Sequence, residues 1–300
     1  MFAIGKVMRF LRLLLSMFFA TSAQALVIET NDWDTRTQAG WDYSSATGPA
    51  LDFAPGGGCG VSPSGGGAIR GSFSPGTYSS STSGGVSKYT IPANENYTDL
   101  YWGHWICFSS PFTFHPIGTK VHFNTTRNTS AGNVGTGRDN YVLNVNPNGT
   151  GVNVTTQLWW DNCTNPRKSG QICTTGWFPN LGTNVPIVPG KWYWIETHSR
   201  MNTIGDGFAS SHDGLLEVWI DNTLVMQHSN VVFRTSAGNV WGNGPNTPIL
   251  GGGSTWTLPQ AQYMFFDHNV ISTTRIGRPG SVLTSVPKPA APKNLRIPNI

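Results

Sequence analysis

Apolar and polar positions alternate one for one in two neighbouring stretches, 190–202 and 213–221. Successive side chains of a strand point to opposite faces. The first stretch therefore puts Tyr193, Ile195, Thr197, Ser199 and Met201 on one side, and Trp194, Glu196, His198, Arg200 and Asn202 on the other. The second opposes Leu216, Val218 and Ile220 to Glu217, Trp219 and Asp221. Similar patterning predicts strands over 27–30, 68–73, 100–108, 120–124, 141–145, 152–160, 192–202, 215–220, 223–228 and 263–272. Turn formers such as Pro147-Asn148-Gly149, Pro189-Gly190 and Asp213-Gly214 bound them. Strands this short and frequent, with no long helical period, predict an all-β chain: two antiparallel sheets packed face to face as a sandwich, with one outer face available for binding.

Composition sharpens that picture. Charged residues are only 11% while Gly is 36 and Trp is 12, a balance that favours strands and turns over helices. Residues 55–85 are dominated by Gly, Ser and Pro; no Lys-Ser/Thr and no helical pattern follow, so they read as a long surface loop and not a phosphate loop. Lys6, Arg9 and Arg12, the apolar run Leu13 to Ala20, and Ala23-Gln24-Ala25 have the layout of a secretory signal over 1–25, too short for a membrane span. A secreted protein, extracellular or periplasmic, is expected, with a sandwich over 26–285 and a Pro-rich tail over 286–300. Three of the cations behind the net charge of +4 leave with the signal, so nothing basic enough for nucleic acid remains. The four cysteines follow that signal and lack a Cys-x-x-Cys pair, which favours disulfides over zinc. Cys163 and Cys173 enclose a turn-rich loop, which leaves Cys59 to pair with Cys107.

The order Trp192-x-x-x-Glu196, Asn202, Asp213-Gly214, Trp219-x-Asp221, Gly251-Gly252-Gly253 and Phe265-Phe266-Asp267 resembles secreted jelly-roll domains of the concanavalin A-like lectin and glucanase superfamily. Within it the nearest likeness, over residues 97–275, is to polysaccharide lyase-like members. The resemblance implies a polysaccharide partner and leaves three activities open: lyase, hydrolase or non-catalytic binding domain. The chain lacks the Glu-x-Asp-x-x-Glu cluster of laminarinase-type hydrolases. In place of the Gln-Ile-His triplet of one alginate lyase family stands Lys120-Val121-His122.

Strand parity groups Lys120, His122 and Asn124 on one face, Gln157 and Trp159 on one face, and both sets with Glu196, His198 and Arg200 on a single open surface. A uronate lyase needs such a set: a cation or amide to neutralise the sugar carboxylate, a base for the C5 proton, and an acid for the leaving oxygen. Arg200, Lys120, Asn124 and Gln157 are candidate neutralisers, and His122 or His198 the base. By the family resemblance, Tyr141 or Tyr263 serves as acid or base. Trp159, Trp194 and Trp219, with Glu196 and Glu217, would line the sugar. Alternatively, Glu196 and Glu217 are a hydrolase pair, His198 belongs to a surface ion-pair ladder, and the indoles pack against loops. Glu29, Asp32, Asp34 and Asp267 are candidate ligands for a structural calcium, with turn capping as the alternative. Asn96, Asn124, Asn128, Asn148, Asn153 and Asn162 each begin an Asn-x-Ser/Thr triplet. Oligomeric state is left open.

Overall fold

A computed structural model describes residues 26–35, 38–43, 50–78, 87–116, 118–128, 133–134, 140–147, 152–160, 173–178, 185–204, 213–231, 233–234, 237–251 and 256–280. The expected signal, the tail and Cys163 lie outside these residues. In chain order the strands are β1 (Val27–Asn31), β2 (Trp41–Tyr43), β3 (Ala50–Asp52), β4 (Ala68–Phe73), β5 (Ser87–Thr90), β6 (Asp99–Phe108), β7 (Thr119–Asn128) and β8 (Asn133–Val134). They continue with β9 (Asn140–Pro147), β10 (Val152–Trp160), β11 (Cys173–Phe178), β12 (Trp192–Arg200), β13 (Gly214–Ile220), β14 (Thr223–Val231), β15 (Asn239–Ile249) and β16 (Gln262–Ser272). Among the described residues there is no helix, and so none long and apolar enough to cross a membrane.

The strands form two antiparallel sheets. Sheet I runs β14-β13-β12-β6-β16-β4-β3, with β1 also paired to β16. Sheet II runs β11-β10-β9-β7-β15-β5-β2, with β8 paired to β7. The alternation read from β12 and β13 is what closes the sandwich. Tyr193, Ile195, Leu216, Val218 and Ile220 enter a core shared with Trp102, Ile106 and Phe266 of sheet I and Tyr89, Val121, Val145 and Trp241 of sheet II. Burying each of the large side chains contributes about 1.5–3 kcal/mol. The sheets are also tied by polar links: Trp241 Nε1 donates to the Ser199 carbonyl at 3.0 Å, and Thr197 Oγ1 meets His122 Nε2 at 3.3 Å. Cys59 and Cys107 form the expected disulfide, pinning the Gly-rich loop to β6.

Central strand β15 is hidden from patterning because it carries Gly242, Gly244, Pro245, Asn246 and Pro248, residues that ordinarily mark turns or sheet edges. Close approach explains one of them. A Cβ at Gly244 would collide with the Asn124 amide on β7, so the ladder between these strands requires glycine there.

Candidate functional site

The outer face of sheet II carries the desolvated cations. On β5, Tyr89 turns into the core, so its neighbour Lys88 stands on the opposite, outer face. Lys88 Nζ lies 4.5 Å from the centroid of the Phe123 ring on β7. Burial lowers its pKa to about 8; Asp42 is opposite it in the ladder with β2, and the Asp42 side chain is outside the described ones. Lys120, half-buried on β7, is also lowered by burial. Beyond Phe123 on this face, Thr125 Oγ1 donates to Asn243 Oδ1 at 2.7 Å, and Arg127 holds the Glu95 carbonyl. Backbone register carries the rows across the sheet: Phe123 is opposite Val142, and Val142 opposite Gln157; Thr125 is opposite Asn140, and Asn140 opposite Trp159. The positions of Gln157 and Trp159 thus fall in the rows of Phe123 and Thr125. Their side chains, and that of Tyr141, are outside the described ones.

The shared surface expected from parity does not form, for two reasons. Lys120, His122 and Gln157 belong to sheet II, whereas Glu196, His198 and Arg200 belong to sheet I, with the core between them. In addition, β7 bulges at Val121: Lys120 is opposite Asn144 while His122 is opposite Leu143, so one residue drops out of the alternation. A bulge reverses parity beyond it. Lys120 therefore shares the outer face with Phe123 and Thr125, while His122 and Asn124 turn inward and are fully buried. His122 stacks on the His104 ring at 5.3 Å. Burial, then the nearby His104 and Lys88, holds it neutral, well below the usual imidazole range. Neither His122 nor Asn124 faces solvent where a glycan could dock.

The outer face of sheet I is a closed set of partners. His198 Nδ1 meets Glu217 Oε2 at 2.8 Å, its Nε2 meets Asp99 Oδ1 at 2.7 Å, and its ring stacks on Tyr101 at 4.0 Å. Burial opposes the charge on His198, but the Asp99 and Glu217 carboxylates outweigh it and raise its pKa above 6.5. Glu217 also accepts from Gln227 Nε2 at 2.6 Å. Glu196 is fully buried and accepts the Ile276 and Gly277 amides at 2.8 and 2.9 Å, which pins the segment after β16. A hydrolase role for Glu196 with Glu217 has no geometric support, because Glu196 cannot reach a sugar. Trp194 is fully buried against Trp105, and Trp219 lies beneath Arg275 at 4.6 Å. Arg200 is exposed at the end of β12, near the Asp213 carbonyl. Tyr263 is on the same sheet, with Arg70 5.6 Å from its ring centroid.

The four carboxylates considered for calcium do not gather. Glu29 accepts from Gln38 at 2.7 Å and Trp41 Nε1 at 3.1 Å. Asp267 takes both Ser62 and Ser64 hydroxyls, Asp32 pairs with His268, and Asp34 abuts Gly66. Among the described residues no three metal-ligating side chains cluster.

Lys88 is the site residue that patterning passed over. Its signal was the alternation Lys88, Tyr89, Thr90, Ile91, obscured by the Gly/Ser-rich run before it. No protein-family model matches the chain, and no curated protein matches it by sequence. Among solved structures it is similar to the endo-beta-1,4-glucuronan lyase of the fungus Trichoderma reesei: 14% identity over 83% of this chain and 96% of that one, TM-score 0.56. It is likewise similar to alginate lyase vAL-1 from Chlorella virus: 13% identity over 82% of this chain and 99% of that one, TM-score 0.56. The two-sheet sandwich described above is the jelly-roll fold of these polysaccharide lyases.

Proposed function

We propose that the protein is an exported polysaccharide lyase that cleaves a uronate-containing glycan by β-elimination on the outer face of sheet II. Lys88 carries the reading. An amine whose pKa is brought to about 8 by burial has a useful fraction of free base near neutral pH. Neutral Lys88 takes the C5 proton, the electron pair forms the C4–C5 double bond, and the bond from C4 to the leaving oxygen breaks. The resulting Lys88 ammonium returns a proton to that oxygen. Lys120 supplies the positive charge that neutralises the uronate carboxylate and makes the C5 proton acidic. Phe123 offers an apolar ring face beside both. The Cys59–Cys107 disulfide supports a site of action outside the reducing cytoplasm.

The test is incubation of the purified protein with alginate, glucuronan and pectin while following absorbance of the new double bond. Product should accumulate on at least one of them, with a rate that rises as pH passes through about 8. Binding without that absorbance on any uronate would reduce the protein to a lectin-like domain, and reducing ends without it would point to hydrolysis.

A further inference from the structure

Between the sheets, buried polar side chains that play no part in the outer-face chemistry occupy neighbouring register positions. His104, on β6, is fully buried, and among the described residues neither of its ring nitrogens has a hydrogen-bond partner. Its ring stacks on that of His122 across the sandwich, with centroids 5.3 Å apart and planes 20° apart. Asn246 on β15 lies directly opposite His122 in the ladder; it is fully buried, and among the described residues neither of its amide atoms has a partner. On the other side, β16 bulges where Asp267 is opposite Trp105 and Val270 opposite Gly103, which puts Asn269 alongside His104. Asn269 shares strand parity with the core residue Ile271, is fully buried, and has no partner for either amide atom among the described residues. Asn31, opposite Asn269 on β1, uses its Oδ1 for the Trp33 amide, and its Nδ2 is unpartnered.

An unpartnered buried polar group costs about 1–3 kcal/mol, and whole domains are stable by only about 5–15 kcal/mol. The orphaned atoms of His104, Asn246, Asn269 and Asn31 would together consume that margin, so something must bond to them. The chemistry of this set selects the occupant. None of its named side chains is a carboxylate or a cation, so a charged ligand would find no counter-charge among them. A transition metal needs ring nitrogens that converge on one point, whereas the two imidazoles lie in nearly parallel planes. An apolar ligand leaves every orphan unmet. We propose that the interior of the sandwich is a binding site for ordered water, joining the two sheets through His104, Asn246, Asn269 and Asn31. At about three hydrogen bonds per buried water, two or three molecules satisfy the set.

Crystals of the full protein diffracting to high resolution test this directly. Water-like density is expected within hydrogen-bond distance of the His104 nitrogens and of the Asn246 and Asn269 amides. Amides closed on one another with no density between them would overturn the proposal, as would a stoichiometric metal retained through dialysis and seen by elemental analysis. In solution, oxygen-17 relaxation dispersion should report long-lived internal water that falls by at least one molecule in His104→Phe. An unchanged count in a folded variant would also overturn it, and if that variant fails to fold the wild-type crystals decide.

Discussion

The two outer faces of the sandwich handle charge in opposite ways. On sheet I, His198 is held between Asp99 and Glu217, Glu196 is spent on the Ile276 and Gly277 amides, and Arg275 covers Trp219. Every one of these groups is matched by another part of the chain. On sheet II, Lys88 is buried against an aromatic ring, and Lys120 is also desolvated. Matched charges fasten strands together and leave little for a ligand. A cation kept out of water weakens the fold, and an acidic substrate can stabilise its charge.

The sharpest way to break this contrast is at Lys88. Lys88→Met should lower the elimination rate about 100- to 10,000-fold while leaving the thermal midpoint close to wild type. Lys88→Arg should be as inactive, because a guanidinium does not deprotonate. An arginine variant with wild-type turnover and pH profile would remove Lys88 as the base.

On the matched face the effects should appear in stability. Glu196→Ala leaves the Ile276 and Gly277 amides without their acceptor, and should cost about 3 kcal/mol in urea unfolding. Gly103→Ala should cost about 1–3 kcal/mol, since its Cβ would strike the buried Trp194 ring. Both variants should retain turnover at temperatures where they stay folded; a selective loss of activity would blur the division between the faces.

The smallest effect concerns pH. The folded pKa of His198 is raised, so its contribution is complete below the ordinary value of 6.5 and is lost as pH rises through the folded value. His104 works in the opposite window. Burial brings its pKa down to about 3, so the unfolded chain takes up a proton below about 6.5 that the folded chain refuses, and stability falls as pH drops from there. Unfolding curves of His198→Leu should lose the alkaline decline and keep the acidic one; loss of the acidic arm instead would mean the ion-pair ladder, and not the interior, sets acid sensitivity.

Much of the fold was legible from alternation. The predicted strand over 68–73 is β4 and that over 152–160 is β10, each with the same ends, and the inward set Tyr193, Ile195 and Thr197 faces the core. Strand β15 was not legible, because its glycines and prolines carry turn signals that neighbouring strands override. Within the candidate site, Lys120 was recognised and Lys88 was not: a single short repeat beside a Gly/Ser run is too brief for a period to stand out.

By itself the sequence determined an all-β chain and the alternation within individual strands, because backbone sterics and side-chain polarity act over short stretches. Tertiary structure alone decided which strands share a sheet, and therefore that His122 and His198 stand on different layers. It also decided, through one extra residue at Val121, that Lys120 looks outward while His122 looks in. Parity is a local property, but its meaning depends on which side the other sheet covers and on every bulge along the way, and those follow from long-range packing.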